Sequence, residues 1–237
     1  MPISWRAAGC CAFMTLALTG HTLAANPDDE ELTVRLGSEW RLVKNDQSRD
    51  IRTWAKLEDG KRYRSFKIEV QLDADLDTIA RVLFDFDNYP KWFWEVREAK
   101  LLKTVSSTEH FTYIVHNAPL GLPDRDVILH TTIEPATPSR PLALVKTHSA
   151  VNYLPAKPPL VRMLAEETLV RFSPMPDGGI LMEVEGYVDP GGSAPIWATN
   201  FVQRSAPYAI AAGIRRMVKL DAYRNPGTAP RYSLGRF

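Results

Sequence analysis

Cysteine is nearly missing from this sequence, and its placement removes it from any chemistry. Of 237 residues only Cys10 and Cys11 are cysteines, both inside the first apolar segment. The rest of the chain therefore offers neither a disulfide nor a thiol nucleophile. Also missing are G-x-S-x-G, H-E-x-x-H, the phosphate-binding P-loop and a G-x-G-x-x-G that opens a helix after a strand. These absences remove the short signatures of serine hydrolases, zinc proteases and nucleotide-binding enzymes. Beyond the first segment no run approaches the roughly 20 apolar residues of a membrane-spanning helix. Net charge is scarce too, at +1, so neither nucleic acid nor an anionic membrane is implied as a partner by charge. His110, His116, His130 and His148 fall on different candidate strands or six residues apart. None has the i, i+4 spacing of a helical metal site, so no metal or other cofactor is expected.

What is present is an ordinary globular composition, 45% hydrophobic and 24% charged, enough for one large domain or two small ones. The opening "MPISWRAAGCCAFMTLALTGHTLAAN" has the three parts of a secretory signal: Arg6, an apolar stretch from Cys10 to Leu18, and small residues at Ala24 and Ala25. A buried N-terminal helix is the alternative. Residues 1–25 are expected to be removed on export, leaving a cysteine-free chain suited to the bacterial periplasm.

After the signal, "NPDDEELTVRLGSEWRLVKNDQSRD" reads as an amphipathic helix carrying Leu32, Leu36 and Trp40, followed by a polar edge. Asp59-Gly60 between two runs marks a hairpin. Its second strand alternates Phe66, Ile68, Val70 and Leu72 with Lys67, Glu69 and Gln71. Ile79, Val82, Leu83 and Phe86 then recur at helical spacing, with Pro90 as the stop. Period two returns in candidate strands near 99–105, 109–117, 125–134, 142–149, 166–173 and 179–188. A final helix begins after Ser193 and continues past Ile214, with Pro207 expected to kink or divide it. The tail, 223–237, lacks a period and is expected to be loosely ordered. Runs of strands bracketed by helices give an α+β domain over 26–222: one antiparallel sheet covered on one side. A sheet of that many strands curls, and a curled sheet closed by a long helix encloses a volume.

Several residues stand out against this frame. "DPGGSAP" is read as a turn before the final helix. The cluster Tyr89, Trp92, Phe93 and Trp94 either packs a helix end or stacks on a ligand or membrane interface. In "GLPDRDVILH" the strand parity sends Val127, Leu129, Thr131 and Ile133 inward, and Arg125 with them. A buried arginine needs a partner, with Asp124 or an acid on another strand the natural one. Arg125 is thus either a polar anchor in a cavity or part of an ion pair that pins the loop.

"APLGLPDRDVI" resembles the loop and Arg-Asp pair that open a central strand in START domains, the steroidogenic-acute-regulatory-related lipid-transfer family. "VLFDFDNYPKWFWEVREAKLL", "PPLVRM" and "EVEGYVDPGGSAPIWATNFV" are similar to further family stretches in the same order, and together they cover about residues 40 to 220. The resemblance implies a helix-grip, in which a curved antiparallel sheet wraps round a long C-terminal helix and encloses an apolar tunnel for one lipid. Arg125 and Asp126 match the family's pair, and residues 117–124 match the omega loop beside the tunnel mouth. Some sterol-binding members carry a further arginine six positions later, where this chain has Thr131, which argues against their polar anchor here.

The expected protein is therefore an exported, periplasmic START-like monomer that binds one lipid or other hydrophobic molecule. It is expected to carry that molecule between membranes by transient contact, with no nucleic-acid partner and no catalytic residue. The alternative from another class is a helix-grip enzyme of cyclase or hydrolase type using the same cavity. The residues expected to meet the lipid are Trp92, Phe111, Tyr113, Arg125, Val127, Leu129, Thr131, Leu144, Met182, Val184, Trp197, Phe201 and Tyr208.

Overall fold

Alternating apolar and polar side chains produce ten strands, and these form a single open, curved sheet. The computed structural model describes residues 39–119, 121–225 and 227–237. The strands are β1 Arg41–Asp46, β2 Ile51–Lys56, β3 Ser65–Leu72, β4 Val96–Ser106, β5 Glu109–His116, β6 Arg125–Glu134, β7 Ala143–Ser149, β8 Val161–Arg162, β9 Ala165–Pro174 and β10 Ile180–Asp189. Their order is β1-β2-β3-β10-β9-β7-β6-β5-β4, with the short β8 paired in parallel to β6 and every other pair antiparallel. Among the described residues three helices complete the fold: α1 Leu76–Leu83, α2 Ile196–Met217 and α3 Asp221–Arg224, with a 3-10 helix at Phe86–Lys91.

The expected signal and most of the amphipathic helix after it lie outside the described residues. Where description begins, Trp40 leads directly into β1, so the expected polar edge is itself an edge strand. In β3 the alternation holds: Ile68, Val70 and Leu72 are buried to 1% exposure or less. Asp75 caps α1, its carboxylate accepting from the Thr78 amide at 2.7 Å. That helix ends at Leu83, and Pro90 sits inside the 3-10 turn that follows rather than closing α1.

α2 lies across the concave face and buries Ala211, Ile214 and Met217. Pro207 does not divide it: the helix runs unbroken for 22 residues, about 33 Å. Near its end α2 passes so close to the 3-10 helix that a Cβ on Gly213 would run into the carbonyl of Trp92.

The tail is not loose. Tyr232 and Leu234 are 3% and 0% exposed, the Leu234 carbonyl accepts from the Ala136 amide at 2.8 Å, and the Tyr232 ring stacks on His110 at 4.4 Å. Arg81 reinforces the docking by donating to the carbonyls of Tyr223 and Thr228. Two side chains in an aperiodic stretch carry this attachment, so no periodicity announced it.

Candidate functional site: the cavity under the long helix

Between the concave sheet and α2 lies a cavity of about 300 Å³. Its walls are built from three sources. The sheet contributes Phe66, Ile68, Ile114, Leu129, Met182 and Val184; α1 and the 3-10 helix contribute Leu83, Phe86, Tyr89 and Trp92; α2 contributes a stripe at every fourth residue, Ala198, Val202, Ala206, Ile210 and Ile214. Such spacing keeps one helix face turned to the same side. At one end the wall is completed by Ala118, Pro119 and Leu122 of the loop before β6.

The charged triplet that opens β6 divides its labour. Asp124 accepts from the Ala118 amide at 3.0 Å and from Arg97 of β4, and so fastens the loop. Asp126, fully buried on the convex face, takes a two-pronged bond from Arg162 at 3.0 and 2.9 Å. Arg162 also donates to the carbonyls of Val151, Leu154 and Pro155, holding the 150–160 segment over the sheet. Arg125 points the other way, into the cavity wall, at 7% exposure. Among the described residues its guanidinium donates to the Pro123 carbonyl and has no carboxylate partner, while its Nε is unpaired. The expected pairing with Asp124 is thus corrected, because Arg97 has taken that acid.

Directly opposite Arg125 in the β5–β6 register stands His116. It also lines the cavity, with its Nε2 unpaired. Burial lowers both His116 and His110 to about 4, keeping each imidazole neutral. On the other side of β7, Glu166 of β9 also faces in, at 8% exposure. Burial alone pushes its carboxyl up to about 7.

Of the residues expected to meet a lipid, Trp92, Arg125, Leu129, Thr131, Met182 and Val184 are brought together in the wall. Val127 shares their face and is fully buried in the core, but does not reach the cavity surface. Six others lie elsewhere. Phe111 and Tyr113 occupy the convex face, because the inward set of β5 is His110, Thr112, Ile114 and His116. There Phe111 stacks between His130 and Tyr153, and Tyr113 packs with Val115, Ile128 and the 150–160 segment. Leu144 has the parity opposite to Val145 and Thr147, which line the wall. On α2 the aromatic residues face outward: Trp197 and Phe201 are 46% and 49% exposed. Tyr208 donates to Asp46 at 2.6 Å, beneath the Lys44 ammonium. Glu166, His110 and His116 were not among the expected residues, although the inward register of Thr168, Val170 and Phe172 on β9 includes position 166.

No family model matches the chain. An uncharacterised protein of Pseudomonas aeruginosa is 24% identical over 180 residues, covering 76% of this chain and 87% of its own. Among solved structures, a STAR-related lipid transfer protein from Xanthomonas axonopodis superposes with a TM-score of 0.69 at 27% identity, over 76% of this chain and 99% of that one. Human STARD10 follows with a TM-score of 0.65 at 21% identity, over 87% of this chain and 86% of its own. The open curved sheet with a long C-terminal helix is common to this chain and these neighbours.

Proposed function

We propose that this chain, which has the START helix-grip fold, binds one hydrophobic lipid beneath α2 and carries it between membranes of the periplasm as a monomer. The observation that carries the reading is the cavity itself: about 300 Å³, walled mainly by aliphatic and aromatic side chains. An apolar ligand is stabilised there by the burial of its own surface. The Xanthomonas neighbour is described as a STAR-related lipid transfer protein, which supports the same assignment. Exposed Trp197 and Phe201 at the start of α2, with Phe201 6.0 Å from Trp94, offer an apolar surface suited to brief membrane contact. No helix among the described residues is long and apolar enough to cross a membrane. Export rests on the signal-like segment at residues 1–25.

A second reading, a helix-grip enzyme, draws on Glu166, whose carboxyl at about 7 is poised for acid–base work. Organic extraction and mass spectrometry of protein recovered from a periplasmic fraction tests both. One unmodified lipid per chain supports binding, a chemically altered one supports the enzyme, and a protein that is absent from that fraction or carries no lipid contradicts the proposal.

A further inference from the structure

Glu166 is a costly residue to place where it is. Its carboxyl is nine-tenths buried on a mainly apolar wall, and that burial raises its pKa. A carboxylate serving the fold would be hydrogen-bonded, as Asp126 is by Arg162. Glu166 has no such partner among the described residues. The register places it opposite Val188 of β10, one inward position before Thr168, which pairs with Thr147 of β7. Arg125 is at the end framed by Ala118, Pro119 and Leu122, two strands away across β7, and no ion pair joins it to Glu166. Arg125 thus sits at one end of the cavity and the Glu166 acid partway along its wall, apart from each other.

A buried carboxyl to which no cation is hydrogen-bonded favours the neutral acid over the carboxylate. A neutral carboxyl carries an O–H donor that demands an acceptor. Deepening the lipid-binding reading, on which it rests, we propose that Glu166 is a ligand-recognition residue that donates a hydrogen bond to an uncharged oxygen, a ketone or hydroxyl, carried partway along an otherwise apolar ligand. An amine ligand would instead require two buried charges, the costlier arrangement. The remaining titratable or charged groups on the wall are Arg64 ahead of β3, Tyr89 of the 3-10 helix, Glu95 ahead of β4, His110 and His116 of β5 and Arg125 of β6. Tyr89 is electrostatically linked to Glu166, and burial with that link raises its phenol above its ordinary value. His110 and His116, at about 4, stay neutral from pH 6 upward.

The test is competitive displacement of the neutral dye N-phenyl-1-naphthylamine by dodecane, dodecan-6-one and dodecan-6-ol at pH 6 and pH 8.5. At pH 6 the ketone and the alcohol are expected to bind about tenfold more tightly than dodecane, the worth of one hydrogen bond to a buried group. At pH 8.5 the ketone loses its advantage, since a carboxylate cannot donate, whereas the alcohol keeps its own by donating to the carboxylate. Glu166→Leu should abolish both preferences while still binding dodecane; Glu166→Gln should keep the ketone preference at both pH values. Three equal affinities in the unaltered protein, or preferences that survive Glu166→Leu, overturn the inference while leaving lipid binding intact. Failure of the dye and all three probes to bind overturns both.

Discussion

Replacing Glu166 by glutamine should change how stability depends on pH, in a direction that can be worked out in advance. The folded carboxyl titrates at about 7 against an ordinary value of 4.5. Between those values the folded state holds a proton that the unfolded state has lost, so this residue makes stability fall as pH rises. Over roughly 2.5 pH units at about 1.4 kcal/mol each, the loss is about 3 kcal/mol. His110 and His116 act oppositely: each falls from 6.5 to about 4 on folding. Between those values the unfolded state binds the extra protons and stability rises with pH. From pH 5 to pH 6 the two histidines contribute a rise of about 2.7 kcal/mol and Glu166 a fall of about 1.4, for a net rise of about 1.4. In Glu166→Gln the opposing contribution vanishes and the rise roughly doubles. The variant therefore gains about 3 kcal/mol relative to the unaltered protein between pH 4.5 and pH 8. Urea unfolding followed by tryptophan fluorescence, repeated at half-unit pH steps, measures this difference. A difference between the two proteins that stays constant across pH 4.5 to 8 would refute the reasoning, because Glu166 would then ionise no differently folded or unfolded.

Three further perturbations have defined outcomes. Arg125→Met removes a side chain whose acceptor is the Pro123 carbonyl; stability should change by no more than about 1 kcal/mol, while affinity for a fatty acid relative to the matching fatty alcohol falls about tenfold in dye displacement. Asp126→Asn leaves the Arg162 guanidinium buried without its counter-charge; the expected cost is about 3–5 kcal/mol, visible as a drop of about 10 °C in Tm, and a drop under 2 °C would contradict the pinning role. Gly213→Ala pushes a methyl group into the Trp92 carbonyl; calorimetry should show a loss of about 1–3 kcal/mol, against the gain expected from alanine in an uncrowded helix.

Much of the architecture was written in periodicity. Strand β6 begins and ends where the alternation from Arg125 to Glu134 does, and the inward parity of Arg125, Leu129 and Thr131 follows from it. The same logic misassigned β5, because Phe111 and Tyr113 are more apolar than His110 and His116, yet the aromatic pair faces outward. What covers that outer face is the 150–160 segment, with Tyr153 stacked on Phe111 and Leu154 and Leu160 beside Tyr113; a loop returning to a sheet leaves no periodic mark. On α2 the bulky Trp197, Phe201 and Tyr208 drew attention from the small stripe at Ala198, Val202 and Ala206 that turns toward the cavity. Helix spacing contained that stripe, but side-chain size pointed elsewhere. Glu166 is hidden in the sequence for a related reason: an acid ahead of Thr168, Val170 and Phe172 reads as the polar start of a strand, and only the register shows it facing the cavity.

The most direct measurement is the stoichiometry with which 12-(9-anthroyloxy)stearic acid binds the unaltered protein and Ala206→Trp, in which an indole from the inner stripe of α2 occupies the cavity. If a single lipid is held beneath α2, binding saturates at one probe per chain in the first protein and is lost in the second, whose circular dichroism is unchanged. Equal binding by both proteins would contradict the account, because the probe would then lie outside the cavity.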